Sequence, residues 1–481
     1  MDQLEMIRSM TRRHFFGRAS RGIGALALAS VLDRSLLAAP ETELPTTHGV
    51  LPRLHHAPKA KRIIYLFQSG APSQLDLFDY KPKLVELSGQ PMPESFTQGQ
   101  RIAQLAGQKL VCVGTKYKFQ RHGQSGAEIS ELFPHLAGIV DDIAIVKSIH
   151  TDAINHDPAV TLIQTGGQQP GRPTMGAWFS YGLGSENDQL PAFVVLTSGG
   201  TLDQPLLARY WGSGFLPSSH QGVEFRSSGD PILFVSNPKG ITPDVRRRML
   251  DSIHELNGLK LETAGDPEIE TRIKAYEMAY RMQTSVPELM DLSDEPQAML
   301  DLYGAKPGEP SSYANNCLLA RRLAERGVRF VQLYHRGWDQ HNNLPDEITR
   351  QCAATDQATA ALIKDLKQRG LFEDTLVIWG GEFGRTPMNQ GEMNAGNYGR
   401  DHHMKAFAIW MAGGGIKGGV SIGATDELGY NVVEDPVHIN DFQATVMHCM
   451  GVDHKRLTYR FQGRDFRLTD VGGNVIQKIL A

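Results

Sequence analysis

Acidic and imidazole side chains cluster in three short stretches of the C-terminal half of the chain. The stretches are G-W-D-Q-H at residues 337–341, G-G-E-F-G-R at residues 380–385 and G-R-D-H-H at residues 399–403. Each of them is expected to lie where a hydrophobic strand ends. Carboxylates and imidazoles together are the ligands that hard and borderline divalent metals prefer. The sequence therefore predicts a metal site and favours a hydrolase, or a protein descended from hydrolases.

The first and third stretches contain the histidines of the predicted site. In an extended segment, residues two apart point the same way, so Asp339 and His341 can present a carboxylate and an imidazole to one ion. His402 and His403 are neighbours in sequence and are expected to point in different directions. We therefore expect only one of these two histidines to be a ligand.

The second stretch adds a carboxylate and a guanidinium. Glu382 follows the apolar run T-L-V-I-W across two glycines, which allow the backbone to come close to a ligand. Arg385 follows at a spacing from which its guanidinium could face an oxyanion. Glu382 is thus a candidate metal ligand, and Arg385 is a candidate for stabilising the charge that develops on a transferred group.

Apolar runs alternate with helical patterns along most of the chain. The predicted strands cover residues 62–68, 143–147, 192–196, 329–334, 375–379 and 406–411, and the predicted helices include residues 128–140, 314–326, 346–368 and 440–450. This alternation predicts an α/β fold with a mostly parallel sheet and helices on both faces. Such sheets bind ligands beyond the carboxyl ends of their strands. Residues 199–301 interrupt the pattern and are expected to be an insertion beside the sheet.

The first 39 residues have the pattern of an export signal. T-R-R-H-F-F at residues 11–16 is typical of a twin-arginine signal, which implies the twin-arginine translocase as a partner and a periplasmic or secreted protein. The apolar run at residues 22–32 is too short to span a bilayer, so no stable membrane span is expected. Residues 40–60 are predicted to be an extended linker and residues 61–481 the folded domain.

Charge and cysteine content argue against two classes of function. The 481 residues carry 49 Lys and Arg against 53 Asp and Glu, so the chain has no basic footprint for nucleic acid. The four cysteines form no C-x-x-C pair, which excludes a zinc finger. An essential disulfide framework is not expected in so large a chain.

The motifs in combination resemble one known superfamily. T-L-V-I-W-G-G-E-F-G-R at residues 375–385 is similar to a segment of the alkaline-phosphatase superfamily, which includes sulfatases and cofactor-independent phosphoglycerate mutases. The three stretches together resemble more closely a bacterial branch, the domain of unknown function 1501 family, over residues 61–457. This resemblance implies an alkaline-phosphatase-like core that holds two metals and acts on phosphate or sulfate esters.

The resemblance also implies which residues bind the metals. Asp339, His341 and His403 would form one complete site. Asp76, in S-G-A-P-S-Q-L-D-L-F-D after the first strand, would be the first-strand ligand, and Asp79 is the alternative.

The chain departs from the superfamily's pattern at two places. Glu382 replaces an aspartate and can still bind a metal, but Phe383 stands where the superfamily has a metal-binding histidine. N-H-D-P-A-V-T-L-I-Q-T-G resembles the helix that carries the phosphatase nucleophile, and it places His156 at the serine position with Asn155 beside it. His156 could supply the missing ligand, act as a nucleophile, or cap the helix. No Cys- or Ser-x-Pro-x-Arg motif of a sulfatase occurs.

These expectations together describe an exported, metal-dependent, hydrolase-like enzyme. Its substrate would be a small-molecule or glycan ester of phosphate or sulfate. Its cofactor would be one or two divalent ions, Zn, Mn or Fe, which suit mixed histidine and carboxylate ligands better than Ca does. The alternative is a non-catalytic secreted binding protein that keeps the fold and a structural metal, which Phe383 and the missing Ser, Thr or Cys nucleophile favour.

Overall fold

A nine-stranded sheet forms the centre of the computed structural model, which describes residues 44–200, 204–226, 230–232, 237–394 and 397–481. The predicted export signal at residues 1–39 lies outside the described residues. The strands of the described chain are β1 (Arg62–Ser69), β2 (Phe119–His122), β3 (Ala127–Ser130), β4 (Ile143–His150), β5 (Phe193–Ser198), β6 (Val223–Phe225), β7 (Phe330–Arg336), β8 (Thr375–Gly380), β9 (Gly384–Asn394), β10 (Asn397–His403), β11 (Phe407–Ala412), β12 (Val420–Ile422), β13 (Ala424–Thr425), β14 (Val432–Glu434), β15 (Val437–His438), β16 (Tyr459–Phe461) and β17 (Arg464–Phe466).

Helices cover both faces of this sheet. The α-helices of the described chain are Gln74–Leu77, Pro82–Glu86, Glu94–Thr97, His156–Thr165, Met175–Leu183, Pro243–Ala264, Pro267–Met290, Gln297–Tyr303, Tyr313–Glu325, Leu344–Gln368 and Ile439–Cys449. Ile64 and Leu66 of β1 pack with residues of the helices Tyr313–Glu325 and Leu344–Gln368. Tyr65 and Phe67 pack on the opposite face, with residues of the helices His156–Thr165, Met175–Leu183 and Ile439–Cys449.

The strand order of the sheet is β12-β4-β11-β8-β1-β7-β5-β6, and β15 also pairs with β4. The pairings of β1, β5, β6, β7, β12 and β15 are all parallel. Only β11 runs antiparallel to its neighbours β4 and β8. The prediction of an α/β fold with a mostly parallel sheet covered on both faces is therefore confirmed.

The carboxyl ends of three neighbouring strands meet at one edge of the sheet. Ser69 at the end of β1 pairs with Arg336 at the end of β7, and Phe67 pairs with Gly380 at the end of β8. The first two acidic stretches follow β7 and β8 directly, as predicted from the sequence. The third stretch differs, because it lies within β10 and precedes β11. It reaches the same edge because β11 is antiparallel and starts there.

The predicted helix at residues 128–140 is wrong. These residues form β3, which pairs with β2, and part of the 3-10 helix Leu136–Asp142. Pro134 lies in the middle of the segment and has no N–H to donate, so an α-helix could not run through it without losing a hydrogen bond.

The predicted linker is bound to the domain along its described part. The amides of His48 and Leu51 donate to carbonyls of Leu183 and Gly182, and the amides of Lys59 and Ala60 donate to Cys449. Residues 199–301 contain two long helices, and they also supply the edge strand β6. Among the described residues, no helix combines the length and the apolar character needed to cross a membrane.

Substitution of Gly70 tests how closely the backbone after β1 packs against the backbone after β7. A Cβ at Gly70, where φ is +108°, would lie 2.4 Å from the backbone nitrogen of Asp339, whereas a Cβ at Gly89, where φ is +84°, would meet nothing within 4 Å. We expect Gly89→Ala to lower the free energy of unfolding by about 1–2 kcal/mol, the cost of a left-handed backbone. Gly70→Ala should cost distinctly more, because the clash is with backbone. Urea unfolding of both variants would measure this, and equal losses would contradict the tight packing.

Candidate metal centre

Asp339 lies at the centre of a group of three histidines. Its Oδ1 atom lies 2.8 Å from Nε2 of His341, 3.1 Å from Nε2 of His156 and 3.7 Å from Nε2 of His402. One ligand atom from each of these four residues lies within 4.8 Å of the others. The structure therefore brings together a carboxylate and three imidazoles that could hold one metal ion.

Three different elements deliver these imidazoles. His341 follows β7 in the same loop as Asp339, and His156 is the first residue of the helix His156–Thr165. His402 lies near the end of β10, where it pairs with Arg385 of β9. Because β11 runs antiparallel, the end of β10 arrives at the edge where β7 ends.

The far side of each imidazole is hydrogen bonded to an acceptor. The Nδ1 atom of His341 donates to Oε1 of Gln390 at 2.5 Å, and Nδ1 of His402 donates to the carbonyl of Ile154 at 2.9 Å. Nδ1 of His156 lies 2.6 Å from Oε1 of Glu382. With the proton on Nδ1, a neutral imidazole has its lone pair on Nε2. All three Nε2 atoms then direct lone pairs at one carboxylate oxygen.

This arrangement fits a bound cation. Lone pairs of three imidazoles and an oxygen of a carboxylate repel one another unless a proton or a metal ion lies among them. The Nε2 atom of His402 is buried, lies 3.7 Å from Oδ1 of Asp339 and has no hydrogen-bond partner within the described chain. Hydrogen bonds from the outer nitrogen to a carboxylate or carbonyl are the usual way in which proteins orient metal-binding histidines. The side chains present therefore suit a divalent ion.

The charges around the group favour a protonated His156 and a neutral His402. Burial alone would lower the pKa of His156, but hydrogen bonds with Asp339 and Glu382 and their charges raise this pKa to about 9. Burial would raise the pKa of Asp339, but the three histidines and Arg385 hold it far below its usual range. Burial lowers the pKa of His402 to about 4, so that imidazole stays neutral and available as a ligand.

His403 lies outside this group, contrary to the expected set of Asp339, His341 and His403. Its side chain is buried on the other side of β10, and Nε2 donates to the carbonyl of Tyr430 at 2.6 Å. Successive residues of a strand point to opposite faces, so only one of the two adjacent histidines can face Asp339. The structure places His402 there.

Asp76 and Asp79 also lie outside the group. Asp76 is fully buried against Arg400, whose Nε lies 2.8 Å from Oδ2, and it accepts from Tyr398 at 2.7 Å. Asp79 pairs with Lys81 at 3.1 Å and accepts from the hydroxyl of Thr425. The helix Gln74–Leu77 contains Asp76, and Asp79 follows shortly after its end, so both carboxylates lie beyond β1 and form ion pairs of their own.

Arg385, which the sequence suggested for an oxyanion, directs its guanidinium at protein groups. The side chain is entirely buried, and Nη2 donates to Oδ1 of Asp339 at 2.7 Å and to the carbonyl of Gly70. Nε donates to the carbonyl of Ala71 at 2.9 Å. Asn155, the other residue expected beside a nucleophile, is the exposed N-cap of the helix and makes no side-chain capping bond.

Phe383 fills the space next to the group with apolar surface. Its ring centre lies 4.8 Å from that of His156 and 4.7 Å from that of His402. It is buried in a small cluster with Ala71, Ala153 and Ala159. Phe383, at the position where the sequence resemblance placed a histidine, thus packs against two of the imidazoles.

Sequence reasoning missed the amide side chains around the group. Gln204 donates from Nε2 to Oδ2 of Asp339 at 2.9 Å, and Gln390 orients His341. Neither belongs to a motif, so no signal in the sequence marks them. A cavity of about 190 Å³ adjoins His156 and is lined by Ser69, Gln204, Leu207 and Tyr210, among others.

Loss of the ion pair between Asp76 and Arg400 is expected to lower the free energy of unfolding. Asp76→Asn leaves the buried guanidinium without its carboxylate and should cost roughly 3–5 kcal/mol. Burial would raise the pKa of Asp76, but Arg400 and hydroxyl hydrogen bonds hold it below 3.8. The stabilisation should therefore be present above about pH 4 and be lost as the pH falls further. Urea unfolding as a function of pH would measure both effects.

Glu86→Gln is the matched control, because Glu86 pairs with Lys83 at 3.0 Å on the surface. It should change the free energy of unfolding by less than about 1 kcal/mol. A loss in Asp76→Asn no larger than in this control would contradict the structural role of Asp76.

Several solved structures resemble this chain at low sequence identity. No curated protein matches the sequence. Similar solved structures include an alkaline phosphatase from the Antarctic bacterium TAB5, at 9% identity over 74% of this chain and 92% of that chain, with a TM-score of 0.30. A lipoteichoic acid synthase from Listeria monocytogenes matches at 9% identity over 87% and 76% of the two chains, with a TM-score of 0.34. The PsFucS1 sulfatase from Pseudoalteromonas sp. matches at 10% identity over 81% and 68%, with a TM-score of 0.34.

The family is shown by the sequence itself. A family model described as "Protein of unknown function (DUF1501)" matches residues 60–480, which is most of the chain. The protein therefore belongs to the DUF1501 family.

Proposed function

We propose that this protein is a metal-dependent hydrolase of phosphate or sulfate esters. The observation that carries the proposal is the convergence of three Nε2 atoms on one oxygen of Asp339, with each Nδ1 atom held by an acceptor. Burying several polar groups in this way costs free energy unless they are compensated. A bound metal ion would compensate them.

The ligands of the ion would be His156, Asp339, His341 and His402. Three imidazoles and one carboxylate suit Zn, Mn or Fe better than Ca. Bound there, a divalent ion would supply Lewis acidity and activate a water molecule. Gln204 holds the outer oxygen of Asp339 at 2.9 Å, so the inner oxygen stays turned towards the imidazoles.

The cavity beside His156 would hold the ester. It lies at the start of the helix His156–Thr165, whose N-terminal end carries the positive end of the helix dipole and favours an anionic group. Val160 and Leu207 give one part of its wall apolar character, which suits the rest of the substrate. Asp157, which also lines the cavity, is paired with the positive charge of Arg209 and accepts a hydrogen bond from Tyr210, so it repels an anion less than a free carboxylate would.

The second candidate is a non-catalytic binding protein that holds a structural metal. Four protein ligands complete a tetrahedral shell, as they do in structural zinc sites, whereas catalytic zinc sites keep one position open. The start of the helix also carries His156 in place of a Ser, Thr or Cys nucleophile. Turnover separates the two candidates.

We also propose that the chain is exported through the twin-arginine translocase. The support is the T-R-R-H-F-F pattern at residues 11–16. That route carries folded proteins, and it would allow the metal to be bound before export.

Adjacent histidines give a sharp test of the ligand set. His402→Gln removes a proposed ligand and should weaken Zn(II) binding by at least about 100-fold, more than the 10–100-fold typical of changes to groups that only orient a ligand. His403→Gln is its matched control, because the amide can still donate to the carbonyl of Tyr430, and it should leave the affinity unchanged. Competition with a chromophoric chelator would measure both, and equal losses would contradict the assignment.

A panel of aryl phosphate, phosphodiester and aryl sulfate substrates tests the chemistry. We expect turnover of at least one class by the metal-loaded protein, and a fall to background in His341→Ala, because that variant lacks a ligand. His403→Gln should keep full turnover. Turnover that persists in His341→Ala would exclude the metal mechanism, and a metal-loaded protein without turnover would favour the structural metal.

A further inference from the structure

Glu382 is directed at an imidazole and not at the centre of the ligand group. Its Oε1 atom lies 2.6 Å from Nδ1 of His156, the nitrogen that faces away from Asp339. The carboxylate is entirely buried and lies outside the group of four converging ligands. This differs from the role as a ligand that the sequence suggested for it.

The same oxygen of Glu382 is held from a second side. The backbone amide of Gly70 donates to Oε1 at 3.0 Å, and Gly70 packs so closely on the backbone of Asp339 that a Cβ would lie 2.4 Å from its nitrogen. Turning Oε1 towards Asp339 would break both hydrogen bonds and leave a buried amide without a partner. The carboxylate is thus fixed relative to both His156 and Asp339.

His156 differs from the other two histidines in the charge of its acceptor. His341 is held by the amide oxygen of Gln390, and His402 by the carbonyl of Ile154, and both acceptors are neutral. Hydrogen bonds to an ionised acceptor are roughly twice as strong as neutral ones. A carboxylate behind a histidine also makes the opposite nitrogen a better electron donor to a metal. His156 should therefore be the strongest of the three imidazole ligands.

We propose that Glu382 is a positioning residue: it keeps a proton on Nδ1 of His156 and so directs the Nε2 lone pair at the ion. This proposal rests on the proposed metal site, but not on ester hydrolysis. Glu382 acts on the ion through the imidazole. Its other oxygen, Oε2, is buried without a hydrogen-bond partner among the described residues, so direct ligation by Oε2 is the competing arrangement.

Cobalt(II) binding to the full-length protein distinguishes a Glu382 that orients His156 from a Glu382 that binds the ion directly. The visible absorption of bound cobalt(II) depends on the number and kind of its ligands. The wild type, Glu382→Gln, Glu382→Ala and His156→Ala are compared for stoichiometry, affinity and spectrum. Glu382→Gln keeps an acceptor oxygen but removes the charge. We expect it to bind one ion per chain with an unchanged spectrum and an affinity lower by about 10–100-fold. Glu382→Ala should bind more weakly still, and His156→Ala should change the spectrum.

Gln390→Ala is the matched control, because it removes the neutral acceptor behind His341 and should weaken binding less than Glu382→Ala does. A spectrum of Glu382→Gln altered as in His156→Ala would show direct ligation and overturn the proposal. Unchanged affinity in both Glu382 variants would overturn it as well. A wild type that binds no cobalt or zinc would overturn the metal site itself. If Glu382→Ala does not fold, the cobalt affinity and spectrum of the isosteric Glu382→Gln still distinguish the two arrangements.

Discussion

The arrangement of the site depends on the hydrogen bonds of the buried guanidinium of Arg385. It donates to the carbonyls of Gly70 and Ala71, just after β1, and to the carboxylate of Asp339, after β7. Arg385 itself lies at the start of β9, so its side chain connects β9 to the segments that follow β1 and β7. Burying a charge costs several kcal/mol unless it is paired and hydrogen bonded. Arg385 therefore requires Asp339 beside it, and a displacement of the loop after β7 would leave a buried guanidinium without its carboxylate.

This constraint explains why a carboxylate can remain ionised in a buried place and still face three imidazoles. Arg385 compensates Asp339, while the negative charge of Glu382 remains next to His156. The balance leaves a region that accepts an additional positive charge, which a proton on His156 supplies and which the proposed metal ion would also supply. Phe383 keeps the surroundings apolar, which strengthens every electrostatic interaction within the group.

Much of the fold was predictable, because its signals are local. Continuous apolar runs such as 62–68 and 375–379 became the central strands, since parallel strands are buried on both faces. The segment 128–140 was wrongly predicted to be one helix, because its apolar residues belong to a hairpin strand and a 3-10 helix on either side of Pro134. The antiparallel direction of β11 has no sequence signal, since pairing direction depends on connections across the whole sheet.

The sequence by itself determined the residue types of the site, the pairing of Asp339 with His341, and the rule that only one of His402 and His403 could join them. Spacing along one extended segment is a local property, so these conclusions needed no information about contacts with other parts of the chain. Only the tertiary structure decided that His402 is the one that faces Asp339, that His156 completes the group, and that Glu382, Asp76 and Arg385 are engaged with other protein groups. Those assignments depend on the register of the β9–β10 hairpin and on the direction of β11, which bring segments hundreds of residues apart to one edge of the sheet.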